Sequence, residues 1–126
     1  METKAAIFIT LKKFVHLLMD ISDIVPKKYR YTLVDKQIEH VLECIRFASD
    51  ANIGLKQKRI DNVTNLLARI ETVNILSQIL IETKHHKDGG YVFILPKNYG
   101  VQVIEYIHSI KKQSISWRNW LDKNLE

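Results

Sequence analysis

Four Gly and two Pro are the only strong chain breakers in 126 residues, and four of these six fall within residues 89–100. A sandwich or a barrel needs turn residues about every ten positions. This chain runs for tens of residues without one, so it reads as all-α, and its length suits a single compact domain over residues 1–126. Hydrophobic residues make up 46% and charged residues 26%, the balance of a chain that buries a core rather than of a disordered tail.

Apolar periodicity divides the chain into four helices. Over residues 3–25, Ile7, Leu11, Phe14, Leu18, Ile21 and Val25 recur in alternating steps of four and three, with Phe8 and Val15 widening the stripe. Pro26 ends that helix and is tolerated in the first turn of the next. The second begins at Lys27 or, if Thr32 and Asp35 form a capping box, at Thr32. Its core face is Val34, Ile38, Val41, Leu42, Ile45 and Ala48, and Asn52-Ile53-Gly54 closes it, because Gly takes the left-handed conformation of a helix C-terminus without penalty. The third, over residues 56–84, buries Ile60, Val63, Leu67, Ile70, Val73, Leu76 or Ser77, and Leu80. Asp88, Gly89, Gly90 and Pro96 mark the main loop. Tyr91 to Leu95 has strand composition but no evident partner, so it reads as an apolar loop folded on the bundle end. Asn98 is the expected N-cap of the last helix, whose stripe is Val103 or Ile104, Ile107, Ile110, Ser114, Trp117 and Leu121. Four such helices with short connections predict an antiparallel up-down-up-down four-helix bundle about 30 to 40 Å long.

Nineteen Lys and Arg outnumber fourteen Asp and Glu, giving a net charge of +5 that favours a polyanionic partner. In the bundle topology the basic residues gather at both ends. One end carries Lys27, Lys28, Arg30, Lys84, Lys87 and Lys97, and the other Lys56, Lys58, Arg59, Arg118, Lys123 and Lys4, with Lys111 and Lys112 between them. Such clusters neutralise phosphates in a salt-dependent, sequence-tolerant way, although cations also simply solvate helix ends. Tyr29, Tyr31, Tyr91 and Tyr99 lie near the first cluster and offer faces on which unpaired bases can stack.

Catalytic and metal-binding patterns are missing. Cys44 is the single cysteine, which excludes an intrachain disulfide and a multi-thiolate zinc site and suits a reducing cytoplasm. His40 and Cys44 have i, i+4 spacing but no third group to orient them. Glu39 and Glu43 share that spacing without the Glu-x-x-His pattern of di-iron bundles, and His85 and His86, as helix neighbours, would diverge too far to clasp one metal. No glycine-rich phosphate loop or nucleophile elbow can be read. No catalytic residue, metal or cofactor is therefore assigned, and a non-enzymatic binding protein is expected. No apolar run approaches the roughly 20 residues of a membrane span, and the first residues lack the order of a signal peptide, so no membrane association is expected and the location reads as cytoplasmic.

From Val25 to Ile53 the chain reads V-P-K-K-Y-R-Y-T-L, followed by a helix ending in A-S-D-A-N-I. This segment resembles the Avd-like four-helix-bundle family, the accessory variability determinant proteins of diversity-generating retroelements, whose relatives include proteins encoded in 23S ribosomal RNA intervening sequences. The resemblance extends over nearly the whole chain and is carried by Pro26, Lys27, Arg30, Tyr31, Thr32 and Leu33, by Lys58 and Arg59, and by Trp117. It departs at Asn74 and Gln78, where members often carry Arg, and at Ile115 and Ser116, where they often carry a glycine pair. The resemblance implies a ring-like homo-oligomer, typically a homopentamer, that binds the element's reverse transcriptase and structured RNA, with DNA a further candidate, and supports mutagenic reverse transcription. Lys27, Lys28, Arg30, Lys58, Arg59, Lys111, Lys112 and Arg118 are the expected nucleic-acid contacts. Ile9, Leu17, Phe47, Leu66, Ile75, Ile81 and Tyr106, apolar but off the main stripes, are the expected subunit interface. The alternative is a protein-interaction scaffold of the intervening-sequence type with no retroelement role.

Overall fold

The computed structural model describes residues 2–124, with side chains for residues 6–124. Helix α1 spans Glu2–Ile24, a short α2 spans Lys27–Arg30, and a π-helical turn at Tyr31–Asp35 leads directly into α3, Lys36–Asp50. Helix α4 spans Lys56–Glu82, strands β1 and β2 span Lys84–Lys87 and Gly90–Phe93, and α5 spans Lys97–Asn124. The long helices α1, α3, α4 and α5 close a ring in which each packs on two neighbours. Three polar contacts fix the antiparallel register of α3 on α4: Gln37 meets Ser77, His40 meets Arg69, and Cys44 meets the Leu66 carbonyl. On the other side, Thr10 meets Gln113 and Phe14 stacks on Tyr106, running α1 antiparallel to α5.

The stripes read from periodicity form the core, with Trp117, Phe14, Ile70 and Leu121 fully buried. Each such side chain is worth about 1.5–3 kcal/mol of transfer free energy. Several positions differ. Leu42 is 51% exposed, and Gln37 and Cys44 take the inward positions beside Val41 and Ala48. The inward residues Val34, Gln37, Val41, Cys44 and Ala48 keep regular steps of three and four, and Leu42 falls beside that stripe. The π-turn denies the Thr32–Asp35 capping box, since the helix passes through both residues without a side-chain cap. Leu17 and Leu66, expected on a subunit interface, are buried in the monomer, and Phe47, Ile81 and Tyr106 are half-buried against the core. Ile9 and Ile75 are exposed as expected.

A hairpin stands where an apolar loop was expected. Strand β1 pairs antiparallel with β2 across the two-residue turn Asp88-Gly89. Both turn residues have positive φ, 52° and 82°, the backbone of a type I′ turn, which favours Asp-Gly. The partner that Tyr91 needed lies upstream, in the polar Lys84–Lys87 segment. The Ile94 N–H donates to the Thr83 carbonyl at 3.0 Å and ties the hairpin base to the end of α4, while Ile94 and Leu95 are buried. Asn98 is not the N-cap of α5, because that helix already begins at Lys97 and the Pro96 carbonyl accepts from the Tyr99 and Gly100 N–H groups.

One buried polar chain crosses the core. Gln37 Nε2 donates to the Leu33 carbonyl within the π-turn at 2.6 Å, and Ser77 Oγ donates to Gln37 Oε1 at 2.7 Å. Ser77→Ala leaves Gln37 Oε1 buried without a donor and is expected to cost about 1–3 kcal/mol in urea unfolding. Combining it with Gln37→Leu, which removes the stranded acceptor, should recover part of that loss, as a double-mutant cycle would show.

Candidate nucleic-acid interface

Helix length sets how far apart the expected contacts stand. At about 1.5 Å per residue the 27 residues of α4 span about 40 Å, so the two basic ends are separate surfaces. Lys56 Nζ donates to the Asp122 carbonyl at 2.8 Å, which joins the start of α4 to the end of α5 and places Lys58 and Arg118 at that end. Lys27 and Lys28 stand at the hairpin end, because Tyr29 contacts His85 of β1 edge to face with centroids 6.5 Å apart. Lys111 pairs with Glu71 across the α4–α5 groove and Lys112 is exposed beside it. The eight residues thus divide into two ends and a midpoint. The side chain of Lys4 lies outside the described residues.

Two arginines of the set are occupied in holding the fold. Arg59, in the first turn of α4, donates through Nε to the Ala51 carbonyl at the end of α3, at 2.8 Å. Arg30 donates through Nη2 to the Val25 carbonyl just past α1, at 3.2 Å. Both connections use the same device: an arginine at the start of one helix satisfies a carbonyl left open at the end of the previous helix, where a cation also suits the dipole. Both arginines are half-buried, whereas Lys27, Lys28, Lys58 and Lys112 are exposed.

The hairpin adds residues outside the expected set. Lys84 pairs with Phe93 and His86 with Tyr91 on one face, while His85 and Val92 share the other. The second face leans on the bundle through the His85–Tyr29 contact. Adjacent His85 and His86 therefore point to opposite faces of a strand, so they diverge even more than the expected helix geometry implied. On the first face the Lys84 ammonium lies 4.7 Å from the Phe93 centroid, and the rings of His86 and Tyr91 meet at right angles with centroids 5.3 Å apart. Lys27, Lys28, Lys84, Lys87 and Lys97 are all exposed at this end, and none is in an ion pair among the described residues. Asp88-Gly89 was the available signal, since this dipeptide between short extended segments marks a hairpin. An apolar cleft of about 680 Å³ opens beside it, lined by Ile81, Phe93, Leu95, Gly100, Val101 and Ile104. Gly100 gives it depth, because a Cβ there would meet Ile81 Cγ1 at 3.3 Å.

Cys44, His40, Glu39 and Glu43, which share i, i+4 spacings on α3, make separate contacts. Cys44 Sγ donates to the Leu66 carbonyl at 3.7 Å, and burial pushes its thiol up to about 12, which disfavours a nucleophilic thiolate. His40 Nδ1 accepts from Arg69 Nη1 at 3.0 Å, a role that only the neutral ring can fill. Burial and then the Arg69 charge hold His40 below its ordinary 6.5. Glu39 and Glu43 pair with Lys36 and Arg46 on the outer side of α3 rather than in the core. Among the described residues, no group of three or more His, Cys, Asp or Glu is placed to hold a metal ion, and no helix is long and apolar enough to cross a membrane.

Together these features define a four-helix bundle with a cationic, aromatic hairpin at one end. Comparison with protein-family models, curated proteins and solved structures gives no match for this chain.

Arg59→Met is expected to lower stability by about 1 kcal/mol through loss of its hydrogen bond, and Lys58→Met to leave it unchanged, as chemical denaturation would show. For His40 the unfolded ring takes up a proton near pH 6.5, whereas the folded ring resists it. Its contribution is therefore complete above that pH and falls as pH drops through the lower folded value. His40→Gln, which keeps an acceptor but cannot titrate, should flatten the loss of stability that sets in as pH drops below about 6.5.

Proposed function

We propose that this protein is a non-enzymatic accessory factor that binds structured RNA, and a reverse transcriptase with it, through its basic surfaces. It works as a ring-like homo-oligomer, the pentamer implied by the family resemblance, and supports mutagenic reverse transcription in a diversity-generating retroelement in the cytoplasm. The observation that carries the RNA part is the hairpin end, where five exposed lysines from α2, β1 and α5 stand free of ion pairs among the described residues. Unpaired cations gathered at one end suit a phosphate backbone, and each neutralised phosphate releases counterions. Lys58, Arg118, Lys111 and Lys112 supply a second and a lateral contact, so one RNA or an RNA and a polymerase can engage different parts of the bundle. Arg30 and Arg59 contribute mainly by holding the helix ends that present their lysine neighbours.

A second reading, the protein-interaction scaffold, draws on the apolar cleft, which exposed Ile104 lines, and on the exposed Ile75 and Ile79 of α4. Light scattering of the protein alone and with a structured RNA at two salt concentrations separates the two. The accessory reading expects an oligomer near five protomers whose mass rises with RNA in low salt and returns in high salt. A monomer indifferent to RNA overturns that reading in favour of the scaffold. Lys27→Glu with Lys28→Glu should weaken RNA binding and reduce the slope of log affinity against log salt by about 1 for each phosphate left without its cation, with helicity unchanged.

A further inference from the structure

The outer face of the hairpin has a composition that bundle packing does not require. Tyr91 is 73% exposed and Phe93 56% exposed, although aromatic rings of that size ordinarily bury most of their area. They lie two residues apart on β2 and project from the same face, with Lys84 and His86 beside them on β1. Asp88, in the turn, is the only acidic residue between Glu82 and Glu105.

We infer that this face binds single-stranded RNA, with Tyr91 and Phe93 each stacking on one unpaired base and Lys84 meeting an adjoining phosphate. The inference rests on the nucleic-acid reading above and narrows it to unpaired segments at this one site. Spacing favours it. Two strand positions separate the rings by about 6.6 Å, twice the 3.4 Å stacking repeat of a duplex strand, so each ring meets its own splayed base rather than two neighbours of a continuous stack. Base stacking on aromatic side chains is tolerant of sequence, and interleaved cations follow the backbone. The Lys84 ammonium now lies over the Phe93 ring, a weak contact at an exposed site, and its flexible stem lets it move to a phosphate when a base takes its place. The hairpin is positioned for this: its other face rests on Tyr29 through His85, and its base is tied to Thr83. Tyr29 and Tyr99 are half-buried against the core and belong to packing.

The test uses the full chain and three fluorescein-labelled probes: a 12-nucleotide single-stranded RNA, the same length as duplex, and a structured hairpin RNA with an unpaired loop. Binding is read by anisotropy at low and high salt. The expected result is preference for the single strand over the duplex, and a loss of about thirtyfold or more in single-strand affinity for Tyr91→Leu with Phe93→Leu, duplex binding being unchanged. Tyr91→Phe with Phe93→Tyr, which keeps both rings, should retain affinity. Leucine preserves an apolar surface, so unchanged single-strand binding in the leucine variant overturns the inference and points to a protein partner for this face. Equal binding of duplex and single strand also overturns it, while leaving the broader RNA reading intact. No binding of any probe in low salt overturns both. Unchanged circular dichroism of the variants excludes loss of fold as the cause.

Discussion

Four apolar stripes, one on each long helix, must be buried against one another, and the closed ring they form decides the rest of the molecule. With α1 between α3 and α5, and α4 opposite, every connection is forced to one of two ends. The hairpin end gathers α2, the end of α4 and the start of α5, so residues far apart in sequence, such as Lys28, Lys87 and Lys97, come to share one surface. None of those lysines chose its neighbours. Their common placement is a by-product of hydrophobic burial, which is insensitive to the charges it brings together.

The helices were legible because their periodicity is long and regular, and the topology followed from short connections. The errors cluster where a local rule competed with a neighbour far away. Leu42 extends an apolar pattern, but the face that turns inward steps by three and four through Val34, Gln37, Val41, Cys44 and Ala48 and takes in two less apolar residues instead. Gln37 could not be read as core from its type; it is buried because Ser77 and the Leu33 carbonyl satisfy it. Leu66 looked surplus to its stripe, yet a helix flanked by two neighbours buries a wider face than a simple count of core positions suggests. The hairpin is hard to read from sequence because its first strand, Lys-His-His-Lys, is polar, and its turn residues alone carry the signal.

Among the expected contacts, residue type was a poorer guide than position. Arginine and lysine contribute equally to net charge, but the guanidinium group has a planar set of donors suited to fixed acceptors, and at Arg30 and Arg59 those acceptors are carbonyls of the protein itself. The neighbouring Lys27, Lys28 and Lys58 are exposed and in no ion pair among the described residues. Sequence proximity thus concealed a division of labour: within Lys58-Arg59, one side chain faces outward and the next closes a helix end. Tyr91 and Tyr29 differ in the same way, the first exposed and the second half-buried against the core.

The π-turn has a further consequence for orientation. A turn closed over five residues takes up one position more than a turn closed over four, and each position on a helix is worth about 100° of rotation. Residues upstream of it are thereby swung around the helix axis relative to the stripe of α3. The direction in which Lys27 and Lys28 face thus depends on this irregular turn as well as on the Arg30–Val25 and Tyr29–His85 contacts of α2. A one-residue deletion there would leave the helix continuous and its charge unchanged while pointing that basic segment at a different neighbour, much as adding a tooth to one gear shifts the phase of another.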